Sequence, residues 1–174
     1  MIENRMEMRA NNIILIGMPA SGKSTVGVIL AKMLGLDFID TDILIQRQEG
    51  ARLEDIIDTR GIEVFLDIES DVCCSLNVSN TVIATGGSVV YRDRAMSHLK
   101  SIGKVVYLQV GIDLLESRLS DMKERGVVLK NGQTLLDLFT ERTALYEHYA
   151  DLTVDENDLS LEETVHLVKE QTGF

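Results

Sequence analysis

The sequence predicts an α/β fold, in which a parallel sheet is covered by helices on both faces. Five short apolar runs rich in β-branched residues recur along the 174-residue chain, and longer segments with helical spacing separate them. Strands that alternate with helices form parallel sheets, because each crossover helix packs back onto the sheet. The length is typical of one domain, so we expect residues 1–174 to fold as a single domain.

The predicted strands cover residues 12–16, 36–39, 81–84, 104–108 and 152–154. Between the second and third strands, residues 42–77 carry helical patterns broken near Gly50 and Gly61, which predicts a helical insertion that covers a substrate. Residues 122–134 are charged and contain Gly126 and Asn131-Gly132, a composition typical of a mobile lid loop.

Composition narrows the classes of partner. The chain has 17 Lys and Arg against 28 Asp and Glu, a formal charge of −11 that disfavours nucleic acid. No apolar run approaches the roughly 20 residues of a membrane span, and the N-terminus has no apolar signal region. The only cysteines, Cys73 and Cys74, are adjacent and poorly placed to pair. We therefore expect a cytoplasmic monomer that acts on small molecules.

A phosphate-binding loop follows the first predicted strand. The segment reads Gly17-Met18-Pro19-Ala20-Ser21-Gly22-Lys23-Ser24, which is the complete P-loop pattern, and a helical run comes after it. In such loops the backbone N–H groups, here with Gly17, Ala20, Ser21 and Gly22, converge on phosphate oxygens. Lys23 is predicted to contact the transferred phosphate, and Ser24 to bind Mg²⁺.

The alternative is a glycine-rich turn that binds nothing, and the strand before and helix after this loop disfavour it. The loop alone does not separate kinases from GTPases or other ATPases. A GTPase would need a guanine-reading Asn-Lys-x-Asp segment, which the sequence lacks.

Further segments fall in an order that is more specific than any of them alone. They are Asp40-Thr41-Asp42 after the second strand, Thr85-Gly86-Gly87-Ser88 after the third, the arginines Arg118 and Arg125, and Arg142-Thr143-Ala144-Leu145-Tyr146. From about residue 12 to 173, with a phosphate loop that extends to Thr25, the chain resembles the shikimate kinase family. The Asp40-Thr41-Asp42 segment disfavours the similar gluconate kinases.

This resemblance implies a sheet of order 2-3-1-4-5 with helices on both sides, and a kinase that uses ATP and Mg²⁺. It implies that Asp40 organises water molecules on Mg²⁺. It also implies that Asp42 binds the acceptor hydroxyls and assists deprotonation of the attacking one. A carboxylate beside a P-loop is chemically suited to orienting a hydroxyl nucleophile. The alternative is that Asp40 and Asp42 only cap the following helix.

The same resemblance assigns roles to the remaining glycines and arginines. Gly86 and Gly87 would let the backbone approach the acceptor, although a plain tight turn is the alternative. Arg142 would hold the substrate. Arg118 would contact adenine and Arg125 would close onto the γ-phosphate from the lid, whereas a solvated arginine is the alternative for each.

Three departures from the family pattern bear on the acceptor. Where the family has a carboxylate-binding arginine the chain has Leu66, and Ser88 replaces the third glycine of the glycine motif. The lid reads Gly126-Val127-Val128 in place of Pro-Leu-Leu. Despite these departures, the resemblance implies phosphorylation of shikimate to shikimate 3-phosphate. The alternatives are a kinase for another hydroxylated metabolite and a non-catalytic nucleotide-binding regulatory module.

Overall fold

The computed structural model describes residues 11–120 and 132–174. In these residues a five-stranded parallel sheet has the order β2-β3-β1-β4-β5. The strands are β1 (Asn12–Ile16), β2 (Asp37–Asp40), β3 (Thr81–Ala84), β4 (Gly103–Gln109) and β5 (Leu152–Asp155). Helices flank the sheet, so the predicted fold class and the strand order implied by the resemblance are both confirmed.

Eight α-helices connect and follow the strands in the described residues. They are α1 (Lys23–Leu34), α2 (Thr41–Glu49), α3 (Leu53–Arg60), α4 (Ile62–Ser75), α5 (Asp93–Ile102), α6 (Ile112–Ser120), α7 (Leu135–Tyr149) and α8 (Leu161–Thr172). A short 3₁₀ helix, Val89–Tyr91, precedes α5. None of these helices, within the part of the chain that the structure describes, is long and apolar enough to cross a membrane.

The sheet is buried on both faces, as its continuous apolar strands require. All five residues of the central strand β1 are buried, and Ile14 pairs with Ile83 on one side and Val105 on the other. Helices α1 and α8 cover one face through residues such as Leu30 and Val168. Helices α4, α5, α6 and α7 contribute to the core on the other face.

The segment between β2 and β3 forms three helices, α2, α3 and α4. The breaks predicted at Gly50 and Gly61 coincide with the ends of α2 and α3. These helices share a small apolar core of their own, made by Ile45, Ile56, Phe65, Leu66 and Val72. They therefore stand as a packed unit beside the carboxyl end of the sheet.

The strand order places a crevice at one edge of the sheet. The connection from β1 leads outward to β2 on one side, whereas β4 lies on the other side of β1. In open parallel sheets, ligands bind outside the carboxyl ends of the strands at such a reversal. The P-loop follows β1, Asp40 is the last residue of β2, and Thr85 follows β3, so all three meet at this edge.

Candidate active site

One large cavity occupies the crevice. Its volume is about 980 Å³, and it extends from the P-loop over the carboxyl ends of β2 and β3 to the inserted helices. Lys23, Asp42 and Arg142 line it together, although they lie far apart in sequence. The cavity is large enough for a nucleotide and a small acceptor bound end to end.

The P-loop has the backbone shape that anion binding requires. Ala20 and Gly22 both have positive φ, 65° and 91°, which directs the chain around a tight concave turn. A Cβ atom at Gly17 would come within 2.7 Å of the carbonyl oxygen of Leu108, so only glycine fits there. Helix α1 begins at Lys23 with no side-chain cap, which leaves its N-terminal N–H groups directed at the cavity.

Lys23 is folded back onto the loop. Its Nζ donates hydrogen bonds to the carbonyl oxygens of Gly17, at 2.8 Å, and Met18, at 2.7 Å. Ser21 Oγ lies 3.4 Å from the same nitrogen. Burial lowers the pKa of Lys23 to about 8, because the ammonium group has lost most of its contact with water. The lysine is thus held where a phosphate oxygen would complete its shell of acceptors.

Ser24 and Asp40 meet across the crevice. Ser24 Oγ donates a hydrogen bond of 2.6 Å to Asp40 Oδ2. Asp40 Oδ1 accepts hydrogen bonds from the backbone N–H groups of Asp42, at 3.0 Å, and Ile43, at 3.4 Å, so this residue is the N-cap of α2. A hydroxyl and a carboxylate side by side are oxygen ligands suited to a hydrated Mg²⁺ ion. The helix cap and the contact with Ser24 therefore use different oxygens of Asp40.

Asp42 lies in the first turn of α2 and faces the cavity instead of capping the helix. Burial, and next the negative charge of Asp40, raises the pKa of Asp42 to about 6, while Lys23 acts in the opposite direction. A carboxylate with this environment accepts a hydrogen bond readily and takes up a proton more easily than an exposed aspartate.

Gly86 and Gly87 are needed for space. Neither has a positive φ, so the backbone conformation by itself does not require glycine at these two positions. A Cβ atom at Gly86 would lie 2.8 Å from Asp42 Oδ1 and would also collide with Glu69 Oε1. A Cβ atom at Gly87 would lie 3.1 Å from Arg142 Nη1 and 2.8 Å from Pro19 Cδ. The backbone here passes directly beside the side chains of Asp42, Glu69 and Arg142.

Arg142 projects from α7 and is buried with only 4% of its surface exposed. Its Nε lies 3.3 Å from the hydroxyl oxygen of Tyr91, to which it donates, and its guanidinium carbon lies 5.2 Å from the centre of the Tyr91 ring. The aromatic face and the hydroxyl fix the direction of the guanidinium group. A planar cation held in this way is suited to binding a carboxylate.

Arg118 lies at the opposite end of the cavity. Its Nη1 donates a hydrogen bond of 3.1 Å to the carbonyl oxygen of Ala20, so it contacts the P-loop and does not simply face solvent. The same nitrogen is 3.9 Å from Glu156 Oε2, a buried oxygen without a hydrogen-bond partner among the residues that the structure describes. Burial raises the pKa of Glu156 to about 7. Leu159 and Leu161 line this end as well, which makes it suitable for a nucleobase.

Two predicted parts of the site lie wholly or partly outside the described residues. Arg125 is not among them, and of the predicted lid, residues 122–134, only 132–134 are described. Thr134 is the N-cap of α7 and forms a capping box with Asp137. Thr25, the last residue of the predicted phosphate loop, is exposed on α1 and lines the cavity.

The sequence reasoning gave no role to Glu69, Tyr91 or Glu156. The buried Glu156 lines the cavity, the half-buried Tyr91 contacts Arg142, and the buried Glu69 lies against Gly86. Each of these positions depends on packing between distant segments. For Glu69 a signal was available, because residues 61–69 are the segment in which the family has its carboxylate-binding arginine, and Glu69 is the last residue of that segment. For Ser88, noted only as a departure, the structure shows a partner, since its Oγ donates a hydrogen bond of 2.7 Å to Glu69 Oε2.

Leu66 is buried, with 4% of its surface exposed, and borders a second cavity of about 160 Å³ that Arg142 and Tyr91 also line. Three arginines that could take the place of the missing one are already paired with carboxylates. Arg60 lies 2.7 Å from Glu49, Arg94 pairs with Asp71, and Arg92 lies 2.8 Å from Asp67 and 2.9 Å from Glu63. Arg92 lines the second cavity, which makes it the one of these arginines that reaches the neighbourhood of Leu66.

Comparison with known families decides what this site belongs to. The family model described as shikimate kinase matches residues 19–172. The chain belongs to the shikimate kinase family. A relative named shikimate kinase from Rippkaea orientalis is 42% identical over 146 residues, covering 82% of this chain and 77% of the relative. Another from Francisella philomiragia is 37% identical over 165 residues, covering 92% and 94%.

Solved structures agree with the family assignment. A shikimate kinase from Acinetobacter baumannii in complex with shikimate has a TM-score of 0.84 and 31% identity. The match covers 93% of the present chain and 92% of the Acinetobacter chain. The shikimate kinase from Aquifex aeolicus has a TM-score of 0.79 and 31% identity, covering 93% and 96%. A gluconokinase from Sinorhizobium meliloti, at 20% identity and a TM-score of 0.54, shares the fold alone.

Proposed function

We propose that this chain transfers the γ-phosphoryl group of ATP to a hydroxyl of shikimate, giving shikimate 3-phosphate. The observation that carries the proposal is the cavity that joins a complete P-loop to the buried Arg142 and to Asp42, in a member of the shikimate kinase family. A nucleotide sensor has no need of a buried cation and a carboxylate opposite its phosphate loop. The regulatory-module alternative therefore has less support.

At the nucleotide end, the backbone from Gly17 to Gly22 would hold the phosphates and Lys23 would contact the transferred group. Arg118 would contact the base, beside Glu156, and Thr25 would extend the loop. The lid Arg125 would approach the γ-phosphate as negative charge spreads in the transition state. Phosphoryl transfer depends mainly on such positioning and charge neutralisation.

At the acceptor end, Asp42 would accept a hydrogen bond from the attacking hydroxyl and Arg142 would bind the carboxylate of shikimate. Gly86 and Gly87 would let the acceptor lie against the backbone. Because Asp42 and Lys23 line the same cavity, the hydroxyl would be held between its base and the phosphate it attacks.

Mg²⁺ is part of this proposal. The hydrogen bond between Ser24 Oγ and Asp40 Oδ2 places a hydroxyl and a carboxylate where they fit a hydrated divalent cation, with Ser24 as a direct ligand and Asp40 acting through water. When bound, the ion would neutralise charge on the β- and γ-phosphates. We also propose a cytoplasmic monomer with ATP and a small acceptor as its only required partners, which the two free cysteines support.

The direct test is ATP-dependent phosphorylation. Purified protein is incubated with Mg-ATP and shikimate, and the product is identified by mass spectrometry and ³¹P NMR. Gluconate, homoserine and a neutral polyol serve as alternative acceptors, and the Lys23→Ala variant serves as the control for contaminating kinases. We expect one phosphate on shikimate. Phosphorylation of a neutral polyol, with none of shikimate, would favour the second candidate, a kinase for another hydroxylated metabolite, which Leu66 in place of arginine supports.

A further inference from the structure

Glu69 is a buried acidic residue for which the transfer reaction as described has no use. It lies on α4 with 1% of its surface exposed. Its Oε2 accepts the hydrogen bond from Ser88 Oγ, whereas its Oε1 is buried without a hydrogen-bond partner in the described residues. An ionised carboxylate in this position would be stabilised directly by one neutral donor only, which is costly in a buried site.

The orphaned oxygen lies against Gly86, a residue that lines the cavity beside Asp42. Glu69 Oε1 and Asp42 Oδ1 both contact the position that a Cβ atom of Gly86 would occupy. The two carboxyl groups therefore lie against the same side of the Gly86 backbone. Like charges placed this close cannot both ionise freely, so a proton on one of them is favoured.

The charged groups that act on Glu69 come from several elements. They are Asp42 on α2, Arg142 on α7 and Lys23 on α1. Cys73, on α4 itself, stays a neutral thiol because burial, and next the charge of Glu69, raises its pKa. The arginines of the other elements packed on α4 are paired with other carboxylates: Arg60 of α3, Arg92 beside the 3₁₀ helix, and Arg94 of α5. Burial raises the pKa of Glu69 to about 7, since the charges of Arg142 and Lys23 and the Ser88 hydrogen bond offset it only in part.

Two departures from the family pattern, Leu66 on α4 and Ser88 in the glycine motif, change the surroundings of the Glu69 carboxyl group. Residue 66 precedes Glu69 by three positions on α4, so an arginine there would share its helix face and neutralise its charge. Leu66 supplies no charge. Ser88 supplies a neutral hydroxyl where glycine would supply nothing. The acceptor end has therefore exchanged a cationic partner of Glu69 for a neutral one.

We propose that Glu69, held by Ser88, is a specificity-determining residue of the acceptor site, which accepts an anionic acceptor when protonated and opposes it when ionised. The inference rests on the proposed function, because it takes the acceptor to be a carboxylate bound by Arg142. With Glu69 neutral, Arg142 faces the charge of Asp42 alone. With Glu69 ionised, two negative charges would share the pocket with the incoming anion.

The test measures equilibrium binding of shikimate in the presence of ADP by calorimetry between pH 6 and pH 8.5, so that no transfer is needed. The carboxylate of shikimate is ionised throughout this range. We expect the Kd to rise about tenfold as the pH passes about 7, which corresponds to roughly one unit of coupling between the anion and the Glu69 proton. The methyl ester of shikimate, which carries no charge, should show no such rise.

Variants separate Glu69 from the other titrating groups. Glu69→Gln is an isosteric mimic of the neutral form that retains Asp42 and Lys23, and it should bind shikimate equally well across the range. Ser88→Ala removes a hydrogen bond that favours the ionised form, so the rise should move to higher pH. Leu66→Arg should move it to lower pH, because a cation favours ionisation. A merely structural role of Glu69 would change affinity without moving this inflection.

Identical pH profiles for the parent protein and Glu69→Gln would overturn the inference, as would an unmoved inflection in Ser88→Ala if the glutamine variant does not fold. The outcomes for the proposed function are separate. Shikimate that binds with the expected pH dependence but is not phosphorylated would refute the function and leave the role of Glu69 standing. Normal phosphorylation with a flat binding profile would do the reverse, and no binding at any pH would refute both.

Discussion

The nucleotide end and the acceptor end of the cavity are built in different ways. At the nucleotide end, the shape comes mainly from the backbone of residues 17–22, and every position of the P-loop pattern is present. At the end proposed to bind the acceptor, the polar groups are side chains carried by separate helices, among them Asp42 and Arg142, with Glu69 against Gly86. Two positions there, Leu66 and Ser88, depart from the family pattern.

This difference shows where a kinase of this kind can change. Backbone N–H groups bind phosphate whatever the neighbouring side chains are, so the nucleotide end tolerates little variation in its glycines, Lys23 and Ser24 and more at the other loop positions. The acceptor end depends on charges that compensate one another. A single substitution there, such as leucine for arginine, alters the charge of the pocket and leaves the phosphate loop untouched.

Lys23→Ala tests the nucleotide end with the largest expected effect. We expect kcat to fall by about a thousandfold or more with every acceptor, because Lys23 would contact the transferred phosphate. The carbonyl oxygens of Gly17 and Met18 lose their donor, so the free energy of unfolding should also fall by about 1–3 kcal/mol without loss of the fold. Steady-state kinetics and circular dichroism measure both effects. Near-normal turnover would refute the assignment as a kinase.

Arg142→Ala tests the acceptor end. We expect the KM for shikimate to rise by about thirtyfold to several thousandfold, since a buried charge pair would lose one partner, while the KM for ATP changes little. Arg142→Lys keeps the charge but loses the planar geometry, so its KM for shikimate should lie between those of the parent protein and Arg142→Ala. A rise confined to the KM for ATP would show that the two ends are not separate in the way described.

Asp42→Asn lies where the two ends meet. We expect kcat to fall by about tenfold to a thousandfold if Asp42 orients and deprotonates the attacking hydroxyl, while ATP binding measured by calorimetry is retained. Asp40 caps α2, so the helix should remain intact in this variant. An unchanged kcat would assign Asp42 to the helix alone.

Leu66→Arg should have the smallest effect of the four variants, and it should improve the reaction with shikimate where the others impair it. We expect the KM for shikimate to fall by about tenfold to a hundredfold, because a second cation would join Arg142 at the acceptor carboxylate. The cavity of about 160 Å³ beside Leu66 provides room for part of the new side chain. Leu66→Met, of similar volume but uncharged, is the matched control. Equal KM values for both variants would show that the introduced arginine does not bind the carboxylate of shikimate.

Much of the fold and of the nucleotide end could be predicted from the sequence. The strands at 12–16 and 81–84 have the predicted bounds, since short β-branched runs there are buried on both faces. The strand β5 differs from its predicted bounds by one residue at one end, and β2 and β4 differ by one residue at both ends. Asp40 belongs to the strand because its backbone pairs with Ala84, although its side chain already serves the next helix.

The acceptor end was harder to predict, for a physical reason. Neither the burial of Glu69 nor the contact of Arg142 with Tyr91 follows from any local pattern, because each joins segments that the fold alone brings together. Sequence periodicity shows that α4 has an apolar face but does not show that a glutamate on that helix is sealed against a glycine. The roles of Arg125 and the lid stay predictions, since they lie outside the described residues apart from 132–134.

The folded-back position of Lys23 has a calorimetric consequence. With its pKa near 8 in the ligand-free loop, the ammonium group carries only about half of its full proton occupancy at pH 8. An arriving polyphosphate favours the charged form, so the protein should take up about half a proton from the buffer on binding ADP at pH 8 and almost none at pH 6.5. The measured enthalpy would then vary with the heat of ionisation of the buffer. Lys23→Arg, which stays charged, should show no such variation.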